Sequence, residues 1–426
     1  MGQNRVAITG LGIVSPFSNA SGDAGGTLSE FFEHLLAGDS AVYFLQTDDI
    51  PRPLTIPFVS CHGFNPDQTL GRPLAAMMDR FAQLGTAAAF NAWDDAGLIR
   101  GEATKTESEC RDDWGVTWGT ALGGTLAYEK GYRELWQKGR ERISPISVLL
   151  GMNNAANAHI SIQLGLGGVS MSHTVACASS AVAIGEAFRR VRSGEATVML
   201  TGGSDAPQAY GVARAWEALR VMASGDAITS PQACRPFSAD RTGLVLGEGG
   251  AALVLENWDH AVARGAKIHG EMVGYGTSCD HSHLVRPEAA GQVRALNMAI
   301  ADGGLTPDDI DYVNAHGTAT AEGDPVEIAA LKSVFGERAS RLAVSASKSM
   351  HGHQLGAAGA IEAIVTVLAL REQAIPPTAH LNLLDPACAG VDHVTIARRG
   401  QPVRAALSNS FAFGGSNAVL AFRAPE

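Results

Sequence analysis

The chain lacks any hydrophobic run of membrane-spanning length, and aromatic residues make up only 6% of its 426 residues. A transmembrane helix needs about 20 consecutive apolar residues, so we expect neither a membrane span nor a membrane partner. The chain passes from Asn4 and Arg5 directly into the apolar run Val6–Val14, and this pattern does not predict a secretory signal peptide. With 46% hydrophobic residues, the composition is that of a globular protein.

Cysteine is scarce, and its spacing does not suggest a metal or disulfide site. The six cysteines lie at positions 61, 110, 177, 234, 279 and 388, and none belongs to a CxxC pair. A disulfide framework or a structural zinc site would show a more regular or closer spacing. The scatter therefore predicts free thiols in a reducing cytoplasm and no bound metal.

Positive charge is also in deficit. The chain has 32 Lys and Arg against 43 Asp and Glu, which gives a formal net charge of -11. Proteins that bind nucleic acid present an excess of basic residues, so nucleic acid is not an expected partner. Neither a low-complexity tract nor a long polar linker divides the chain, and its length suits two domains or one large unit.

Two stretches of the chain share one order of elements. The apolar run Val6–Val14 predicts a buried strand, and an amphipathic helix is predicted over residues 28–36. A second apolar strand is predicted over residues 266–276, again followed by a helix, at residues 293–301. This pattern indicates two α/β halves of related plan, joined near residues 261–264 and packed as one body.

Cys177 stands between an apolar strand and a helix. Apolar residues after it recur at helical spacing until Gly194, where the helix is predicted to end. A cysteine in a strand–turn–helix connection lies near the positive end of the helix dipole, which favours the nucleophilic thiolate. A lone cysteine is equally at home as a small buried hydrophobe, so this segment alone leaves both interpretations open.

His316 follows a predicted strand over residues 310–313, and two threonines come after it. A histidine at a strand end followed by glycine is expected to face a cleft. Thr318 and Thr320 alternate, as hydrogen-bond donors along an extended ligand would. A turn histidine with ordinary loop threonines is the competing interpretation.

Lys348, His351 and His353 share one turn after another predicted strand. The helix that follows is rich in small residues, including Gly356, and so can approach another backbone closely. One lysine and two histidines in such a turn indicate a functional cluster. Metal binding is disfavoured, because no carboxylate stands at zinc-like spacing on one helix face.

A glycine-rich turn at Gly414 and Gly415 separates two apolar strands near the C-terminus. Its backbone N–H groups can point at an anion, although many such turns are simple hairpins. A thiol, two histidines, a lysine and a glycine turn, all at strand ends, together suit thioester chemistry on a carbanion.

At these motifs the chain resembles the elongating β-ketoacyl-acyl carrier protein synthases of the thiolase superfamily. The resemblance runs along the whole chain and rests on Ala176–Ser180, Arg235–Phe237, Gly247–Gly249, His316–Thr320, Lys348–His353 and Asn409–Gly415. It implies a thiolase-like α/β fold of five layers, αβαβα, built from two pseudo-duplicated halves of five strands each. Residues 1–263 would form the half with the cysteine, and residues 264–426 the half with the histidines, lysine and gating loop.

The resemblance also implies a decarboxylative Claisen condensation, which makes the protein an acyltransferase. Cys177 would hold the acyl group, and His316 and His353 would promote decarboxylation of malonyl-acyl carrier protein as neutral donors. Lys348 would support the histidines and pair with Glu362. The product would be a β-ketoacyl-acyl carrier protein of fatty acid or of specialised polyene or polyketide synthesis.

Further positions follow from the same resemblance. The amides of Cys177 and Phe413 would form an oxyanion hole, and Thr318 and Thr320 would contact pantetheine. The gate would consist of Phe411, Phe413, Gly414 and Gly415. The acyl pocket would include Leu122, Ile146, Ser147 and Trp216. The protein needs no cofactor of its own, because the carrier protein supplies the phosphopantetheine arm.

Several departures from the family pattern point to a specialised substrate and carrier. Ala412 stands where relatives mostly have glycine, which predicts a stiffer gate, and His351 stands where threonine is commoner, which adds polarity beside the decarboxylation site. The pocket positions carry unusual residues, so ordinary long-chain substrates are in doubt. Bases expected at the carrier docking face are absent at residues 75–77, while Arg142 and Arg220 remain as candidate docking cations.

The resemblance implies acyl and malonyl carrier proteins as partners, and a homodimer. A heterodimer with a sister subunit is the alternative, in which the chain would mainly set chain length or decarboxylate. Non-catalytic subunits of that kind lack the cysteine, so Cys177 argues against this role. A Cys/His hydrolase such as a glutaminase would leave Lys348 and the second histidine without a task.

Overall fold

The computed structural model describes residues 3–17, 27–48, 51–100 and 111–425, so Cys110 lies outside the described residues. The strands are β1 (Val6–Val14), β2 (Tyr43–Gln46), β3 (Thr55–Val59), β4 (Gly115–Gly119), β5 (Ser170–His173), β6 (Val198–Asp205), β7 (Leu246–Gly247), β8 (Gly249–Asn257), β9 (Gly270–Cys279), β10 (Tyr312–Asn314), β11 (Ala343–Ser345), β12 (Ala374–Ile375), β13 (Asp392–His393), β14 (Arg398–Arg399), β15 (Ala405–Ala412) and β16 (Ser416–Arg423). The α-helices are α1 (Leu28–Ala37), α2 (Arg72–Ala75), α3 (Arg80–Asp95), α4 (Thr125–Trp136), α5 (Ser147–Gly151), α6 (Ala155–Leu164), α7 (Ser179–Ser193), α8 (Tyr210–Leu219), α9 (Trp258–Ala263), α10 (Ala289–Asp302), α11 (Gly323–Phe335), α12 (Lys348–His351) and α13 (Ala358–Glu372).

Eleven strands form one mixed sheet, in the order β13-β11-β10-β15-β16-β9-β1-β8-β6-β4-β5. Within it, two sets of five strands repeat one topology. If the strands of each set are numbered along the chain, both run 3-2-4-5-1 across the sheet, as β5-β4-β6-β8-β1 and as β11-β10-β15-β16-β9. Parallel and antiparallel neighbours also correspond. The predicted duplicated plan is therefore confirmed, with the short β13 as an extra strand of the second set.

The two sets meet where β1 pairs with β9. Val6, Ala7 and Ile8 lie opposite Met272, Glu271 and Gly270 in an antiparallel ladder. The strand predicted over residues 266–276 thus begins four residues later, at Gly270, and the following helix is longer than predicted. The two copies of the repeated topology span residues 6–257 and residues 270–423. The predicted boundary between residues 263 and 264 is not tested by this arrangement and stays a prediction.

Helices cover both faces of the sheet and separate its two sets of strands, which gives the expected five layers. Helices α3 and α6 pack on the outer face of the first set, and α10 and α11 on the outer face of the second. Between the sets lie α7 and α13, which contact each other and strands of both sets. This arrangement explains why β1 is buried along its whole length and reads as a continuous apolar run rather than an alternating one.

Helix α13 is buried on every side because it lies in the central layer. All residues from Ala358 to Leu370 are buried, as expected of a helix surrounded by protein. Its contact with α7 is close, since a Cβ atom added at Gly359 would lie 2.8 Å from both the backbone nitrogen and the Cβ of Ala181. In the described ranges, no helix combines the length and the apolar character needed to cross a membrane.

Replacing Gly359 by alanine should force α7 and α13 apart. We expect the free energy of unfolding to fall by about 1–3 kcal/mol, as in other overpacked cores. Chemical denaturation with a two-state fit would measure it. Gly211→Ala in α8 is the matched control, because its added Cβ would meet only Glu129 Oε2, at 3.9 Å. Equal stability of the two variants would contradict the close helix contact.

Candidate active site

The predicted site residues follow the carboxyl ends of strands from both sets. Cys177 follows β5, His316 follows β10, and Lys348 begins α12 after β11. Carboxyl ends of parallel strands meet at one edge of a sheet, where α/β proteins place their ligands. The nucleophile candidate thus comes from the first set of strands, and the histidines and lysine from the second.

A short, strained turn holds Cys177 in front of α7. Ala176 has a positive φ of 47°, and the Ser179 hydroxyl accepts from the Val175 N–H and donates to the Ala176 carbonyl. The helix begins at Ser179 and ends at Ser193, with Gly194 as its left-handed cap. The predicted strand–turn–helix is therefore confirmed.

Cys177 is only 6% exposed, and this burial governs its ionisation. Desolvation raises the pKa of the thiol to about 12, although the nearby Lys348 acts in the opposite direction. The sequence analysis expected the helix end to favour the thiolate. That expectation was wrong for the resting protein, because loss of water around the sulfur outweighs the favourable charge and dipole.

Cys177, His316 and His353 form one compact triad. Each offers a ligand-type atom within 4.8 Å of the atoms offered by the other two. The two imidazole rings meet edge to face, with centroids 5.4 Å apart and an interplanar angle of 87°. The structure thus brings Cys177 together with two histidines that lie 139 and 176 positions further along the chain.

Lys348 fixes the protonation pattern of His316. Its buried Nζ donates to the His316 carbonyl at 2.7 Å and to a carboxylate oxygen of Glu362, and it lies 3.3 Å from His316 Nδ1. An ammonium group has three donors and no acceptor. His316 Nδ1 must therefore accept, which places the ring proton of His316 on Nε2.

His353 is held in the same tautomer by the backbone. The Leu355 N–H donates to His353 Nδ1 at 3.2 Å, so the ring proton again lies on Nε2. Among the described residues that nitrogen is buried and has no hydrogen-bond partner. Burial, and secondarily the charge of Lys348, hold the pKa of both His316 and His353 well below the usual value. Both rings are thus neutral donors at neutral pH.

This hydrogen-bond pattern does not suit a metal ion at the triad. A metal-binding imidazole offers a lone pair to the metal and donates its other N–H to an acceptor. Here the other nitrogen of His316 faces the Lys348 ammonium, and that of His353 faces the Leu355 N–H. Turning either ring to the metal-binding tautomer would place two donors against each other.

Glu362 supports the triad from behind the cavity lining, and Glu327 supports it as part of that lining. Glu362 is fully buried, and desolvation raises its pKa to about 7 against the opposing effect of Lys348. Glu327 accepts from the backbone N–H groups of His316 and Gly317, both at 2.8 Å, and from Asn409 Nδ2 at 3.0 Å. The sequence analysis identified Glu362 but missed Glu327, since nothing in its local pattern separates it from other helix carboxylates.

A second missed carboxylate is Asp205, at the end of β6. It accepts from the Thr120 hydroxyl and from the N–H groups of Ala121 and Gly356, at 2.7–2.8 Å. These bonds tie the first set of strands to the segment that leads from His353 into α13. Burial raises the pKa of Asp205 to about 6.

The glycine turn is shaped differently from the expectation. Gly414 and Gly415 have positive φ angles of 85° and 75°, but their N–H groups donate to the carbonyls of Leu284 and Ala412. These two amides are therefore unavailable to an anion. Ala412 is the last residue of β15 and pairs with Ser416, so it sits in extended backbone that alanine adopts without strain.

A cavity of about 490 Å³ reaches the triad from the surface. Among the predicted site residues its lining includes Cys177, Trp216, His316, Thr318, Thr320, His353, Phe411, Phe413 and Gly415. Lys348 and Glu362 lie behind this lining and are fully buried. The Phe411 ring meets the His316 ring edge-on, with centroids 6.3 Å apart.

Three predicted pocket residues do not line this cavity. Leu122 packs in an apolar cluster together with Trp216. Ile146 and Ser147 lie at the start of α5, next to the exposed Val148 and Leu149. Their assignment to the acyl pocket stays a prediction.

His351 lies outside the cavity lining. Its ring is buried, with Nε2 3.0 Å from the Ser347 hydroxyl and Nδ1 3.0 Å from Gln354 Oε1. Its electrostatic effect still reaches the triad, because it is the smallest of the three causes that lower the pKa of His353, after burial and Lys348. The expected influence of His351 on the decarboxylation site stays a prediction.

The proposed carrier face has few basic groups. Ala75 is buried, Ala76 and Met77 are exposed, and Arg142 is exposed before α5. Arg220 caps α8 in the left-handed conformation and lines the cavity. Of the two candidate docking cations, only Arg220 thus adjoins the route to Cys177.

Comparisons with known proteins agree with this geometry. The family model described as "Beta-ketoacyl synthase, N-terminal domain" matches residues 3–261, and the "Beta-ketoacyl synthase, C-terminal domain" model matches residues 269–382. The chain therefore belongs to the β-ketoacyl synthase family, and it is a condensing enzyme of the acyltransferase type with the thiolase-like fold.

Similar proteins include a nodulation protein, a 3-oxoacyl-acyl-carrier-protein synthase and a ketosynthase of known structure. Nodulation protein E from Rhizobium sp. (strain N33) is 44% identical over 358 residues, which cover 84% of this chain and 86% of that protein. 3-Oxoacyl-acyl-carrier-protein synthase 2 from Staphylococcus aureus (strain COL) is 39% identical and covers 99% of each chain. The solved structure titled "The ishigamide ketosynthase/chain length factor" has a TM-score of 0.87 at 31% identity and covers 100% of both chains.

The buried His351 should make stability depend on pH. Burial lowers its pKa from 6.5 to about 4, so between these values the unfolded chain binds the additional proton. The free energy of unfolding should therefore fall as the pH drops from 6.5 to 4. Over this pH range, the free energy of unfolding of His351→Thr should fall by up to about 3 kcal/mol less than that of the wild type.

Urea denaturation of both proteins at several pH values would measure the effect. Above pH 7 the difference in the free energy of unfolding between wild type and His351→Thr should stay constant, because histidine is neutral there in both the folded and the unfolded state. A difference that also stays constant from pH 7 down to pH 4 would show that His351 is not a buried neutral group.

Proposed function

We propose that the chain condenses an acyl group on Cys177 with malonyl-acyl carrier protein. One observation carries this proposal: His316 and His353 are both fixed as neutral Nε2–H donors in a triad with the thiol. Two neutral donors beside a sulfur suit a reaction in which negative charge develops on a thioester oxygen. Two neutral donors do not suit a hydrolytic reaction, in which a histidine must take a proton from water.

In the first step Cys177 takes the acyl group from the carrier thioester. The sulfur attacks the carbonyl carbon, the bond to the carrier's sulfur breaks, and the thiol proton leaves with the carrier thiol. Because the resting pKa is about 12, the proton departs only as the thioester arrives. Backbone N–H groups of Cys177 and Phe413 hold the oxyanion, and the glycine amides of the same turn do not.

In the second step malonyl-acyl carrier protein loses carbon dioxide. The electrons of the broken carbon–carbon bond become an enolate, whose oxygen accepts hydrogen bonds from His316 Nε2 and His353 Nε2. The enolate carbon then attacks the carbonyl carbon of the Cys177 thioester. The carbon–sulfur bond breaks with its electron pair on the Cys177 sulfur, which takes up a proton from water, and the β-ketoacyl product remains on the carrier. Lys348, paired with Glu362, keeps the Nε2–H of His316 directed at the substrate.

Two other functions are less well supported. A Cys/His hydrolase needs a histidine that accepts the thiol proton, whereas the bonds from Lys348 and Leu355 leave both rings with a donor toward the triad. The non-catalytic subunit of a synthase pair would have no use for Cys177. The ishigamide structure is titled as a ketosynthase with a chain length factor, so the pairing of this chain with a sister subunit remains the alternative assembly.

The carrier protein supplies the phosphopantetheine arm in this proposal, and the enzyme needs no cofactor. Thr318 and Thr320 line the cavity beside His316 and suit contacts to the pantetheine amides. Arg220 is the candidate contact to an acidic carrier. The pathway is fatty acid synthesis or a specialised polyene or polyketide route, and the name of the Staphylococcus relative supports acyl carrier protein as the partner.

A homodimer in the cytoplasm completes the proposal. Among the described strands, β5 is an edge of the large sheet, and an edge strand can pair its backbone with a neighbouring chain. Next to this edge, Met171 is 41% exposed and Ile162 on α6 is 72% exposed. Exposed apolar groups beside a free edge favour association with a second copy. The five described cysteines are free thiols, which agrees with a reducing compartment.

Cys177→Gln should separate the two chemical steps. The variant cannot form the acyl thioester, so condensation should fall by at least about a thousandfold, as for other covalent nucleophiles. Decarboxylation of malonyl-acyl carrier protein should continue, because both histidines remain. Intact-mass analysis of the carrier proteins would follow both reactions.

Cys279→Ser is the matched control for this test, since Cys279 is an exposed cysteine outside the triad. It should keep both activities. Continued acyl elongation by Cys177→Gln would refute the mechanism, and hydrolysis of acyl-carrier thioesters without condensation in the wild type would favour the hydrolase.

Met171→Lys should weaken the dimer by placing charge on the β5 edge. Sedimentation velocity should show a shift toward monomer at micromolar protein. Ile228→Lys is the control, because Ile228 is 88% exposed and lies outside β5, in the segment between α8 and β7. A wild-type protein that sediments as a monomer would exclude the homodimer.

A further inference from the structure

Gln292 has an unpaired carboxamide in the cavity that leads to the triad. The residue belongs to α10, lines that cavity and is only 1% exposed. Among the described residues its Oε1 atom is buried and has no hydrogen-bond partner. Burial of a carbonyl oxygen without a donor is unfavourable, so such atoms are rare in folded proteins. None of the condensation steps involves this residue.

The start of α10, which carries Gln292, is held firmly against the end of β9. The Glu288 N–H donates to Asp280 Oδ2 at 2.9 Å, and the Ser278 hydroxyl donates to the Gly291 carbonyl at 2.6 Å. A Cβ atom added at Gly291 would lie 1.7 Å from Asp280 Oδ1. The helix therefore approaches this segment closely and keeps Gln292 at a fixed place on the cavity wall.

Other buried polar side chains of the cavity lining are already satisfied within the protein. Asp280 also accepts from Asn417 Nδ2 at 2.7 Å. Glu327 accepts from two backbone N–H groups and from Asn409. Carboxylates accept hydrogen bonds and do not donate them, so neither carboxylate supplies the donor that Gln292 Oε1 lacks.

The threonine pair in the lining also has part of its hydrogen-bonding capacity in use. The hydroxyls of Thr318 and Thr320 lie 3.0 Å apart and bond to each other. Thr320 Oγ1 accepts in addition from the Gly323 N–H at 3.2 Å. A ligand with several amide groups in this cavity therefore needs a polar partner besides the two threonines.

The type of partner that Gln292 lacks identifies the part of the substrate that it meets. Oε1 is an acceptor and requires an N–H or O–H donor. The thioester carbonyl and the malonyl carboxylate are acceptors, and a hydrocarbon acyl chain has neither donor nor acceptor. The pantetheine arm, in contrast, contains secondary amides, each with an N–H group and a carbonyl.

We propose that Gln292 is a substrate-binding residue that accepts a hydrogen bond from an amide N–H of the carrier's pantetheine arm. The inference rests on the proposed function, because it takes this arm to be the occupant of the cavity. A carboxamide offers both an acceptor and donors, so it matches a secondary amide better than a hydroxyl does. The arm is thus recognised from α10 as well as from the threonine pair.

Protection of Cys177 from a thiol reagent measures binding of the arm without any condensation. The probe is N-pentylpantothenamide, which keeps the amides of the arm and has an alkyl group in place of the thioester. The reagent is methyl methanethiosulfonate, which has no amide of its own. Peptide mass analysis gives the rate of modification at Cys177, and its dependence on probe concentration gives the dissociation constant of the probe.

Gln292→Met keeps the length of the side chain and removes its hydrogen-bonding groups. The dissociation constant of the probe should rise about two- to twelvefold, which corresponds to the loss of one neutral hydrogen bond. The free energy of unfolding without probe should not fall, because an apolar group replaces an unpaired buried amide. Urea denaturation would measure this second quantity, which distinguishes a binding residue from a structural one.

Two further variants guard the interpretation. Gln292→Asn keeps the carboxamide but withdraws it by one methylene, so it should also weaken binding of the probe even if Gln292→Met folds poorly. Gln208→Met is the matched control. Among the described residues Gln208 Oε1 is likewise buried without a partner, but Gln208 does not line the cavity. This control should bind the probe as the wild type does.

The proposal is overturned if folded Gln292→Met or Gln292→Asn binds the probe as tightly as the wild type. A lower free energy of unfolding in Gln292→Met, or equal weakening in Gln208→Met, would also overturn it. If the probe does not protect wild-type Cys177, the arm does not occupy the cavity and the proposal fails. Protection that Gln292→Met weakens supports the contact even if the wild type does not condense, in which case only the proposed function fails.

Discussion

The Lys348 ammonium group is the interaction on which the site depends. It is wholly buried and shares its three donors among the ring and carbonyl of His316 and the carboxylate of Glu362. A buried cation is costly unless it is paired and fully hydrogen-bonded, and here both conditions hold. Its presence forces His316 to accept at Nδ1 and lowers the affinity of both histidines for protons.

The surrounding structure serves to keep that cation and its neighbours in place. Glu327 holds the backbone of His316 from one side, and Asp205 joins the segment after His353 to the first set of strands. The close contact of α7 with α13 sets the distance between the thiol and the histidines. Glu327 also lines the cavity, whereas Asp205 and the small residues of the α7–α13 contact lie behind it and hold the elements that carry the triad.

Sequence patterns predicted the parts of this site that depend on local order. Cys177, His316 and Lys348 each follow an apolar run and precede a turn, so their place at strand ends could be inferred. The duplicated plan was visible in Val6–Val14 and its later counterpart. Contacts between distant segments were not visible: the Leu355 N–H on His353, the Leu284 carbonyl on Gly414 and the desolvation of Cys177 all arise from tertiary packing.

The residues whose surroundings were predicted wrongly show again that contacts between distant segments are not visible in the sequence. Gly414 and Gly415 were expected to present amides to an anion, but a glycine turn says nothing about which carbonyl approaches it. His351 has the same residue type as His353, two positions away, yet its ring nitrogens are already bonded to Ser347 and Gln354. Only the three-dimensional neighbours distinguish a core histidine from a donor in the cavity.

The repeated strand order divides the site between the two sets of strands. In each set, the third strand along the chain leads through a turn into a central helix: β5 into α7, and β11, by way of α12, into α13. Cys177 stands in the first of these turns and Lys348 in the second. The two residues thus occupy the same connection in the two sets of strands, one with the thiol of the triad and the other with the charge that lowers the proton affinity of both histidines.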